Sequence, residues 1–541
     1  MSTRQVARGV AGAAALIAVL TVLARLAGFG RTLVFTNAVG AGSTGDTYLA
    51  ANNVPNIVFE VVAGGALASL VVPMLAGGIA AGDREQVRRT ASALLGWTLL
   101  VLTPLAVLLA LFAEPVARLL LGGGTDGEVA LAARFLLVFA PQVVLYGIGI
   151  VLTGVLQAHR RFAGPALAPL LSSVVVAGAY LVFAGIGGDR DVAGLDRPAE
   201  LVLGVGTTLG VVALSLSLLL PLRGLRLGLR PTLRFPVGAA PRVRRLAVAG
   251  VLTLAGQQLV AAVAIRLAND GAPDGTQVAY TAGLTVFLLP WAALAVPLAT
   301  SAYPGLAERA ESGDEVGYRR ALAPVAVLTV AATAVAAAAL LAAAGPLARV
   351  FLATGTDEAV ATLRDAIVAF MPGLVGYGLV ALLTRALYAR GLWKAPTGCV
   401  LGGWLLAVAV DVLLAGALPA EDRALALAAG HSLGVTVAGA SLLVVVARSS
   451  GRAALHGLGR VGPAALLAAG LGAAAGLVVS RALGTDPVPE GGLLITLLAG
   501  ILVGGTVLLV AAAVMMGTAR GPLTRAVGQL RSSGEQEVRG G

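Results

Sequence analysis

The sequence is poor in the residues on which most catalytic and disulfide-stabilised proteins depend. Among 541 residues it has one cysteine, Cys399, and three histidines, His159, His431 and His456. A single cysteine cannot form an intramolecular disulfide, and none of these residues has a partner at metal-ligand spacing. The histidines are predicted in or near loops or span ends. Since Walker A and H-E-x-x-H motifs are also absent, the sequence supports neither ATP hydrolysis nor metalloproteolysis.

Charged residues are also scarce. They make up 12% of the chain against 58% hydrophobic residues, and the mean hydropathy is +0.92. A soluble globular protein of this length does not have such a composition. Apolar runs of about 20 residues, the length that crosses a hydrocarbon core of about 30 Å, recur from residue 10 to residue 516. About fourteen such runs predict an all-α polytopic membrane protein with about fourteen transmembrane helices.

The net charge is +11, and the scarcity of aromatic residues helps to decide whether this charge serves to bind nucleic acid or a membrane. Aromatic residues make up 4% of the chain, and Lys394 is the only lysine. Basic stretches interleaved with aromatics, which are typical of proteins that bind single-stranded nucleic acid, are missing. The basic residues lie in loops between the apolar runs, so a membrane is the expected partner and nucleic acid is not.

The charge of alternate loops predicts the orientation of the chain. One set of loops is rich in arginine and faces the cytoplasm by the positive-inside rule. Its basic residues include Arg84, Arg88, Arg89, Arg160, Arg161, Arg223, Arg226, Arg230, Arg234, Arg242, Arg244, Arg245, Arg448, Arg452 and Arg460. The other set contains Asp126, Glu128, Asp189, Asp191, Asp270, Asp274, Asp357 and Asp422. Both termini are therefore expected in the cytoplasm, with the chain in the cell membrane.

An internal repeat relates the two halves of the chain. Pro73 and Pro304 are 231 residues apart (304 − 73 = 231), and the same offset relates many residues without gaps. The matching pairs include Gly82-Asp83 with Gly313-Asp314, Arg88-Arg89 with Arg319-Arg320, Gly124-Thr125-Asp126 with Gly355-Thr356-Asp357, and Tyr146-Gly147 with Tyr377-Gly378. A repeat of six spans is even in number, so both copies have the same orientation in the membrane.

The repeat predicts two parallel six-helix halves around a central cavity. The N-terminal half is expected at 1–231, the C-terminal half at 232–460, an extra helix pair at 461–516 and a cytoplasmic tail at 517–541. Duplicated halves of this kind enclose a substrate site near the bilayer midplane. One half rocks against the other, which opens the site to one side of the membrane and then to the other. The sequence therefore predicts a transporter, and the alternative is that the duplication only builds a stable bundle.

Two arginines in the first apolar run are candidates for a substrate site, because charges inside a membrane are rare and usually face a cavity or a partner. Arg25 and Arg31 are separated by Gly28 and Gly30. A bend at these glycines is expected to let both guanidinium groups converge on one phosphate-bearing anion. The alternative is that both side chains extend to lipid headgroups.

Four further residues in or near apolar runs join the candidate set. Glu60 follows Asn56 near a predicted break in the second span, where it can pair with one of the arginines. Arg266 lies in the seventh run. Asp411 has no obvious local partner and is a candidate for binding a proton or Na⁺, with an internal salt bridge as the alternative.

Several motifs together resemble a known family. The segment Arg-Leu-Ala-Gly-Phe-Gly-Arg at residues 25–31 is followed by Asp46-Thr47-Tyr48, Val54-Pro55-Asn56, Gly64-Gly65-Ala66-Leu67 and Phe-Ala-Pro-Gln at residues 139–142. With the predicted spans and the duplication, these motifs resemble the MurJ (MviN) family of lipid II flippases in the MOP exporter superfamily. The resemblance implies a flippase, not an enzyme, that moves the undecaprenyl-pyrophosphate-linked peptidoglycan precursor from the inner to the outer leaflet. It also implies a groove for the lipid tail in the last two helices.

The resemblance implies roles for individual residues. Arg25 and Arg31 match basic cavity residues of the first helix, and Asp46 matches an acidic residue at the start of the second. With these three residues, the expected substrate-binding set contains Asn56, Glu60 and Arg266.

The sequence departs from the family at other positions. Phe59 and Thr285 stand where relatives carry arginine, and Arg266 is the candidate to compensate. Some members bind Na⁺, which implies a metal-binding role for Asp411, while Ala407 and Gln257 do not match the other ligands. No cofactor is expected beyond Na⁺ or H⁺ coupling and the membrane potential.

The expected partners are a lipid-linked anionic substrate, membrane lipids and cell-wall synthesis proteins. Two other functions stay open: a MOP-type exporter of a different polyprenyl-linked glycan or a drug, and a non-transporting membrane scaffold. A lipid-processing enzyme is disfavoured because the sequence has no acid, base or metal cluster.

The loop charges predict which positions a membrane-impermeant maleimide reaches in intact cells. In a Cys399→Ser background, Asp191→Cys should be labelled and Arg160→Cys should be labelled only after the membrane is permeabilised, because basic loops face the cytoplasm. The opposite pattern would invert the predicted topology.

Overall fold

The computed structural model describes residues 3–61, 65–234, 240–485 and 492–540, which are helical almost throughout and contain no β-strand. Gly64 and the side chains of Pro73, Arg242, Arg244 and Arg245, which the sequence analysis uses, lie outside the described part.

The helices follow one another along the chain with short connections. The first ten are α1 (Thr3–Ala38), α2 (Ser43–Phe59), α3 (Gly65–Ala80), α4 (Arg84–Leu111), α5 (Ala113–Leu121), α6 (Asp126–Ala158), α7 (Ala163–Gly185), α8 (Arg197–Leu216), α9 (Leu219–Arg223) and α10 (Ala240–Asn269). They are followed by α11 (Thr276–Pro290), α12 (Val296–Glu311), α13 (Glu315–Ala342), α14 (Ala344–Phe351), α15 (Asp357–Phe370), α16 (Gly373–Ala389), α17 (Lys394–Ala417), α18 (Arg423–Ser449), α19 (Leu458–Ala482) and α20 (Leu493–Gly540).

The described helices confirm a polytopic all-α membrane protein. Ten of them are long and apolar enough to cross a membrane, or eleven when the bent pair α15 and α16 counts as one span. The total of fourteen spans stays a prediction.

The helix boundaries repeat with the offset of 231 residues found in the sequence. α4 starts at Arg84 and α13 at Glu315, and these helices end at Leu111 and Ala342 (315 − 84 = 342 − 111 = 231). The helix pair α3 and α12 has the same offset at both ends. The duplication therefore extends from the sequence to the secondary structure.

Matching polar caps explain why these boundaries coincide. The Asp83 carboxylate accepts a hydrogen bond from the Gln86 amide at 2.8 Å, and Asp314 accepts one from the Gly317 amide at 2.8 Å. A short polar side chain at this position stabilises a helix start by satisfying an amide that lacks an intrahelical acceptor. Thr125 caps α6 in the same way that Thr356 caps α15.

One pair of repeated elements differs between the copies. α6 continues through Pro141, whereas its counterpart is divided at Pro372 into α15 and α16, which are bent by 47°. A proline removes one helical hydrogen bond in either copy. In the second copy a Cβ on Gly373 would lie 2.7 Å from the Ser432 Cα atom, so a close approach to α18 accompanies the break.

The chain forms two compact units, residues 1–278 and residues 279–541. In the first unit, aromatic residues of α1, α2, α6 and α7 form the core. α10 packs against α3 and α5 and belongs to this unit by its contacts, although the repeat makes it the counterpart of α1. The division of the repeats at residue 231 stays a prediction.

In the second unit, paired glycines allow α17 and α18 to pack closely. A Cβ on Gly403 would lie 2.6 Å from the Gly434 carbonyl oxygen, and a Cβ on Gly434 would lie 2.6 Å from the Gly403 carbonyl oxygen. Small residues at such a crossing let helix backbones approach, which is a main source of helix association in membranes. The neighbouring Gly402 has nothing within 4 Å of an added Cβ.

This pair of adjacent glycines gives a matched test of packing. Gly403→Val should lower the thermal unfolding midpoint of the detergent-solubilised protein, because overpacking costs about 1–3 kcal/mol. Gly402→Val adds the same side chain where there is space and should have little effect. Equal shifts, measured by size-exclusion chromatography after heating, would contradict the packing at this crossing.

Candidate functional site

α1 carries both candidate arginines on one continuous helix. The helix runs from Thr3 to Ala38 through Gly28 and Gly30, and the expected bend at these glycines stays a prediction. A Cβ on either glycine would have nothing within 4 Å. Six residues along a regular helix leave Arg25 and Arg31 on different faces, and Arg25 is exposed while Arg31 is partly buried.

Arg31 lies beside a cluster of tyrosine hydroxyls in the first unit. Its charge acts electrostatically on Tyr48, Tyr146 and Tyr180. The Tyr48 hydroxyl lies 2.8 Å from the Tyr180 hydroxyl and 2.7 Å from the Thr207 hydroxyl. Among the described residues Arg31 forms no ion pair, so its guanidinium group keeps its donors for a ligand.

Aromatic packing fixes the position of this cluster. The Phe35 ring stacks on Tyr48 at 5.4 Å between centroids, and Phe135 and Phe139 meet Tyr48 edge-on at 5.7 and 6.0 Å. Such ring pairs add roughly 0.5–1.5 kcal/mol each beyond their buried area. The aromatic contacts therefore fix the position of the Tyr48 ring and of its hydroxyl group.

The end of α2 supplies two of the predicted polar residues. α2 contains Pro55 and ends at Phe59, and Glu60 lies in the π-helical turn that follows. The Asn56 side-chain amide donates to the Asn52 carbonyl at 3.2 Å. Glu60 is half-buried and forms no ion pair among the described residues, so the expected pairing with an arginine is not formed.

The two positions that lack an expected arginine have uncharged, locally satisfied side chains. The Phe59 ring is buried and lies 5.2 Å from the Tyr146 ring. The Thr285 hydroxyl donates to the Thr281 carbonyl of its own helix at 2.9 Å. Neither position adds positive charge to a site.

Asp46 joins the start of α2 to the start of α11 within the first unit. Its two carboxylate oxygens accept hydrogen bonds from the Gly275 amide at 2.7 Å and the Val278 amide at 2.8 Å. The side chain is 6% exposed. A carboxylate at a helix N-terminus is favoured by the unpaired amides and by the helix dipole. We call this contact the Asp46 clasp.

Acidic residues surround the segment that the clasp holds. Burial, followed by the negative charges of Glu128 and Asp191, raises the pKa of Asp274, which lies in the loop before Gly275. The clasp therefore lies beside a crowded acidic loop, the opposite of the arginine-rich loops at the other helix ends.

Arg266 lies in the last turn of α10 and is already paired. Its Nη1 atom lies 2.6 Å from the Asp270 carboxylate. A Cβ on Gly122 would lie 2.0 Å from the same nitrogen, so the ion pair needs a glycine there. In this conformation Arg266 does not supply the charge that is missing at Phe59 and Thr285.

The second unit contains a buried carboxylate that accepts no hydrogen bond from any described residue. Asp411 in α17 is 0% exposed, and both of its oxygens are without a partner there. A Cβ on Gly430 would lie 1.9 Å from Asp411 Oδ1, so only glycine fits at that position of α18.

His431 follows Gly430 and was missed as a site residue from the sequence. It was expected near a loop or span end, but it is 7% exposed inside α18, and neither ring nitrogen has a described partner. Phe287, Phe370 and Trp404 meet its ring at 5.3 to 5.6 Å. The packing of α18 against α17 places this ring against Trp404.

The sodium-binding role of Asp411 stays a prediction. A sodium ion is held by several lone-pair oxygen atoms, and neither carboxylate oxygen of Asp411 is engaged by a donor among the described residues, while Gln257 is exposed on α10. Within the described part of the chain no group of three histidine, cysteine or acidic residues could hold a metal ion.

Comparisons with known proteins identify relatives of this chain. A family model described as lipid II flippase MurJ matches residues 35–482. The lipid II flippase MurJ of Burkholderia cenocepacia is 26% identical over 399 residues, which cover 71% of this chain and 74% of that protein. A shorter match, 22% identical over 162 residues, covers 30% of this chain and 32% of a probable lipid II flippase MurJ of Buchnera aphidicola. The chain thus spans three quarters of one curated relative and a third of another.

Solved structures share the fold. A lipid II flippase MurJ in an inward closed conformation superposes with a TM-score of 0.72 and 18% identity over 93% of this chain and 98% of that one. An inward-facing MATE family transporter of the MOP superfamily superposes with a TM-score of 0.65 and 15% identity over 80% of this chain and 95% of that one.

The Asp46 clasp predicts local hydrogen exchange. Asp46→Ala should speed exchange of the amides in residues 275–278 by about 10-fold or more, because each buried bond to a charged group contributes about 1.5–3 kcal/mol. Asp274→Asn alters a carboxyl in the same loop that accepts neither amide and should leave exchange nearly unchanged. Mass spectrometry of the peptide containing Gly275 and Val278 measures both, and unchanged exchange in Asp46→Ala would refute the clasp.

Proposed function

Because the chain belongs to the lipid II flippase MurJ family, we propose that it moves an undecaprenyl-pyrophosphate-linked peptidoglycan precursor from the inner to the outer leaflet. The observation that carries the proposal is the match of the family model to residues 35–482. The protein is a multi-pass membrane transporter, and the family activity is transport rather than catalysis. Its place is the cytoplasmic membrane with both termini inside, by the charge of its loops.

We assign the main contact with the pyrophosphate to Arg31. It is partly buried, has no ion-pair partner among the described residues, and its charge acts on the hydroxyl groups of Tyr48 and Tyr180. The planar guanidinium group donates two parallel hydrogen bonds, which match paired phosphate oxygens. A charge of this sign also disfavours a cationic drug as the substrate.

The remaining candidates have secondary places in this proposal. Arg25 is exposed about one and a half turns nearer the N-terminus and meets the anion before Arg31 does. Asn56 and Glu60 lie at the end of α2, where they offer hydrogen bonds to the polar headgroup. Asp46 and Arg266 are engaged with protein groups, so contact with a substrate requires the clasp and the Asp270 ion pair to open.

Transport of this substrate can proceed without ATP. Moving one charge across 100 mV is equivalent to about 2.3 kcal/mol, so a pyrophosphate with two negative charges gains roughly 4.6 kcal/mol on leaving a negative interior. We propose the membrane potential as the main driving force. Coupling to a proton or Na⁺ at Asp411, whose carboxylate oxygens have no partner among the described residues, is a secondary proposal.

A different lipid-linked glycan is the second candidate substrate. It is also anionic, so Arg31 would contact it as well, and cell-wall synthesis proteins are proposed partners for either substrate. The uncharged Phe59 and Thr285 instead favour a non-transporting membrane scaffold, because they leave fewer arginines for an anionic headgroup.

Complementation tests the proposed function and the role of Arg31. In a bacterium depleted of its own lipid II flippase, the native chain should restore surface-exposed lipid II. Arg31→Ala should reduce this signal about 10-fold or more, and Arg31→Lys should retain part of it because lysine keeps the charge but loses the bidentate geometry.

The matched control is Arg452→Ala, which removes an exposed arginine at the other end of the chain. It should transport like the native protein at equal expression. Failure of a well-expressed native chain would favour the second substrate, and full activity of Arg31→Ala would remove Arg31 from the transport path.

A further inference from the structure

A small cavity lies where the α8–α9 span meets the arginine-rich loop. Its volume is about 350 Å³, and Arg223 and Arg226 line it together with Leu219, Leu222, Leu227 and Leu229. Arg223 and Arg226 are exposed, whereas Leu227 is buried. The cavity therefore combines an apolar floor with a cationic rim.

No acidic residue among those described neutralises the positive charge of Arg223 and Arg226 at this rim. The sequence contains no aspartate or glutamate between Leu201 and Asn269. Among the described residues neither Arg223 nor Arg226 has an acidic partner. The nearby Glu85 at the start of α4 is already shared by Arg88 and Arg89, at 2.6 and 2.7 Å.

Hydrogen bonds from two other segments hold the loop in place. The Arg161 Nη1 atom donates to the Pro221 carbonyl at 2.9 Å, which joins the α6–α7 turn to α9. The Thr232 amide donates to the Ser92 carbonyl at 3.1 Å, and the Arg230 amide donates to the Ser92 hydroxyl at 3.2 Å. The rim is therefore a preformed surface that α4 and α9 position.

The backbone of the rim is strained at one of its two arginines. Arg226 has φ +49°, a left-handed conformation that residues other than glycine rarely adopt. The anchored loop maintains this conformation, which presents Arg226 at the cavity. Strain of this kind persists only where surrounding structure enforces it, and it is concentrated at binding sites.

The cavity lies beside exposed apolar side chains, as expected at the level of lipid headgroups. Leu219, which lines it, is 38% exposed, and the adjacent residue Leu220 is 67% exposed. The Trp97 indole, 42% exposed, donates to the Leu233 carbonyl at 3.0 Å. Exposed leucines beside tryptophan and arginine are typical of the boundary between hydrocarbon and water.

We propose that this cavity binds the headgroup of an anionic phospholipid such as phosphatidylglycerol. Arg223 and Arg226 bind the phosphate, and the acyl chains lie along Leu219 and the adjacent Leu220. A basic pocket at the cytoplasmic end of membrane helices suits an anionic headgroup, and each arginine adds attraction to the anionic leaflet. The site is separate from Arg31 and independent of the transported substrate.

The apolar surroundings favour a lipid over a soluble phosphate. A free phosphate gains only the contacts with the two guanidinium groups, whereas a lipid also covers the exposed side chain of Leu219, which lines the cavity. Phosphatidylglycerol should therefore bind more tightly than glycerol phosphate, which carries the same phosphate without acyl chains.

Native mass spectrometry of the purified full-length chain, titrated with dioleoylphosphatidylglycerol, tests this site. The Arg223→Gln/Arg226→Gln variant should bind one phosphatidylglycerol about 10- to 30-fold more weakly than the native chain. Arg452→Gln/Arg460→Gln removes the same charge from two exposed arginines elsewhere and should bind like the native chain.

Two further comparisons keep the result decisive. Dioleoylphosphatidylcholine should not occupy the site, and glycerol phosphate should not displace phosphatidylglycerol at equal concentration. If the glutamine variant loses its monodisperse elution, Arg223→Lys/Arg226→Lys replaces it, with a smaller expected loss because lysine lacks the bidentate fork. Equal weakening by both charge-removing variants, equal binding of phosphatidylcholine, or displacement by glycerol phosphate would overturn the proposal.

Discussion

The structure depends on one constraint: no backbone amide or carbonyl can be left without a partner in hydrocarbon. Long α-helices meet this constraint within each segment, and the described residues contain no strand. The same constraint makes helix ends important, because their amides and carbonyls need partners from elsewhere. Asp83 and Asp314 provide partners at equivalent helix starts, and Asp46 provides them for a helix more than two hundred residues away.

The partners of the charged residues within the membrane distinguish residues with a structural role from residues with a functional role. Asp46 and Arg266 are engaged with backbone amides and Asp270, so they connect elements of the first unit. Arg31 is partly buried and has no ion pair among the described residues, and its charge acts on the hydroxyl groups of Tyr48 and Tyr180. Since a charge in this setting is costly to insert, an unpaired arginine is best explained by a ligand that supplies the negative charge.

Duplication has given the two copies equal helix boundaries but different interiors. Tyr146 and Tyr377 are repeat partners, yet Tyr146 lies against Phe59 near Arg31, whereas Tyr377 stacks on Trp291 at 4.6 Å. Pro141 and Pro372 are also partners, yet only the second lies at a break between helices. The first copy therefore presents a basic site, and the second presents a buried carboxylate, Asp411, and an aromatic enclosure around His431.

The sequence by itself determined the helical class, the repeat and its offset, the capped helix starts and the family, because hydropathy, prolines and polar caps act locally along the chain. The sequence also showed that Arg31 and Asp411 are unusual, because a charged residue within an apolar run can be recognised without a structure. Only the tertiary structure decided which charges are satisfied. The partners of Asp46 lie about 230 residues away, and the packing of α18 on α17 places the His431 ring against Trp404. Pairing and packing depend on which distant segments meet, and no local pattern contains that information.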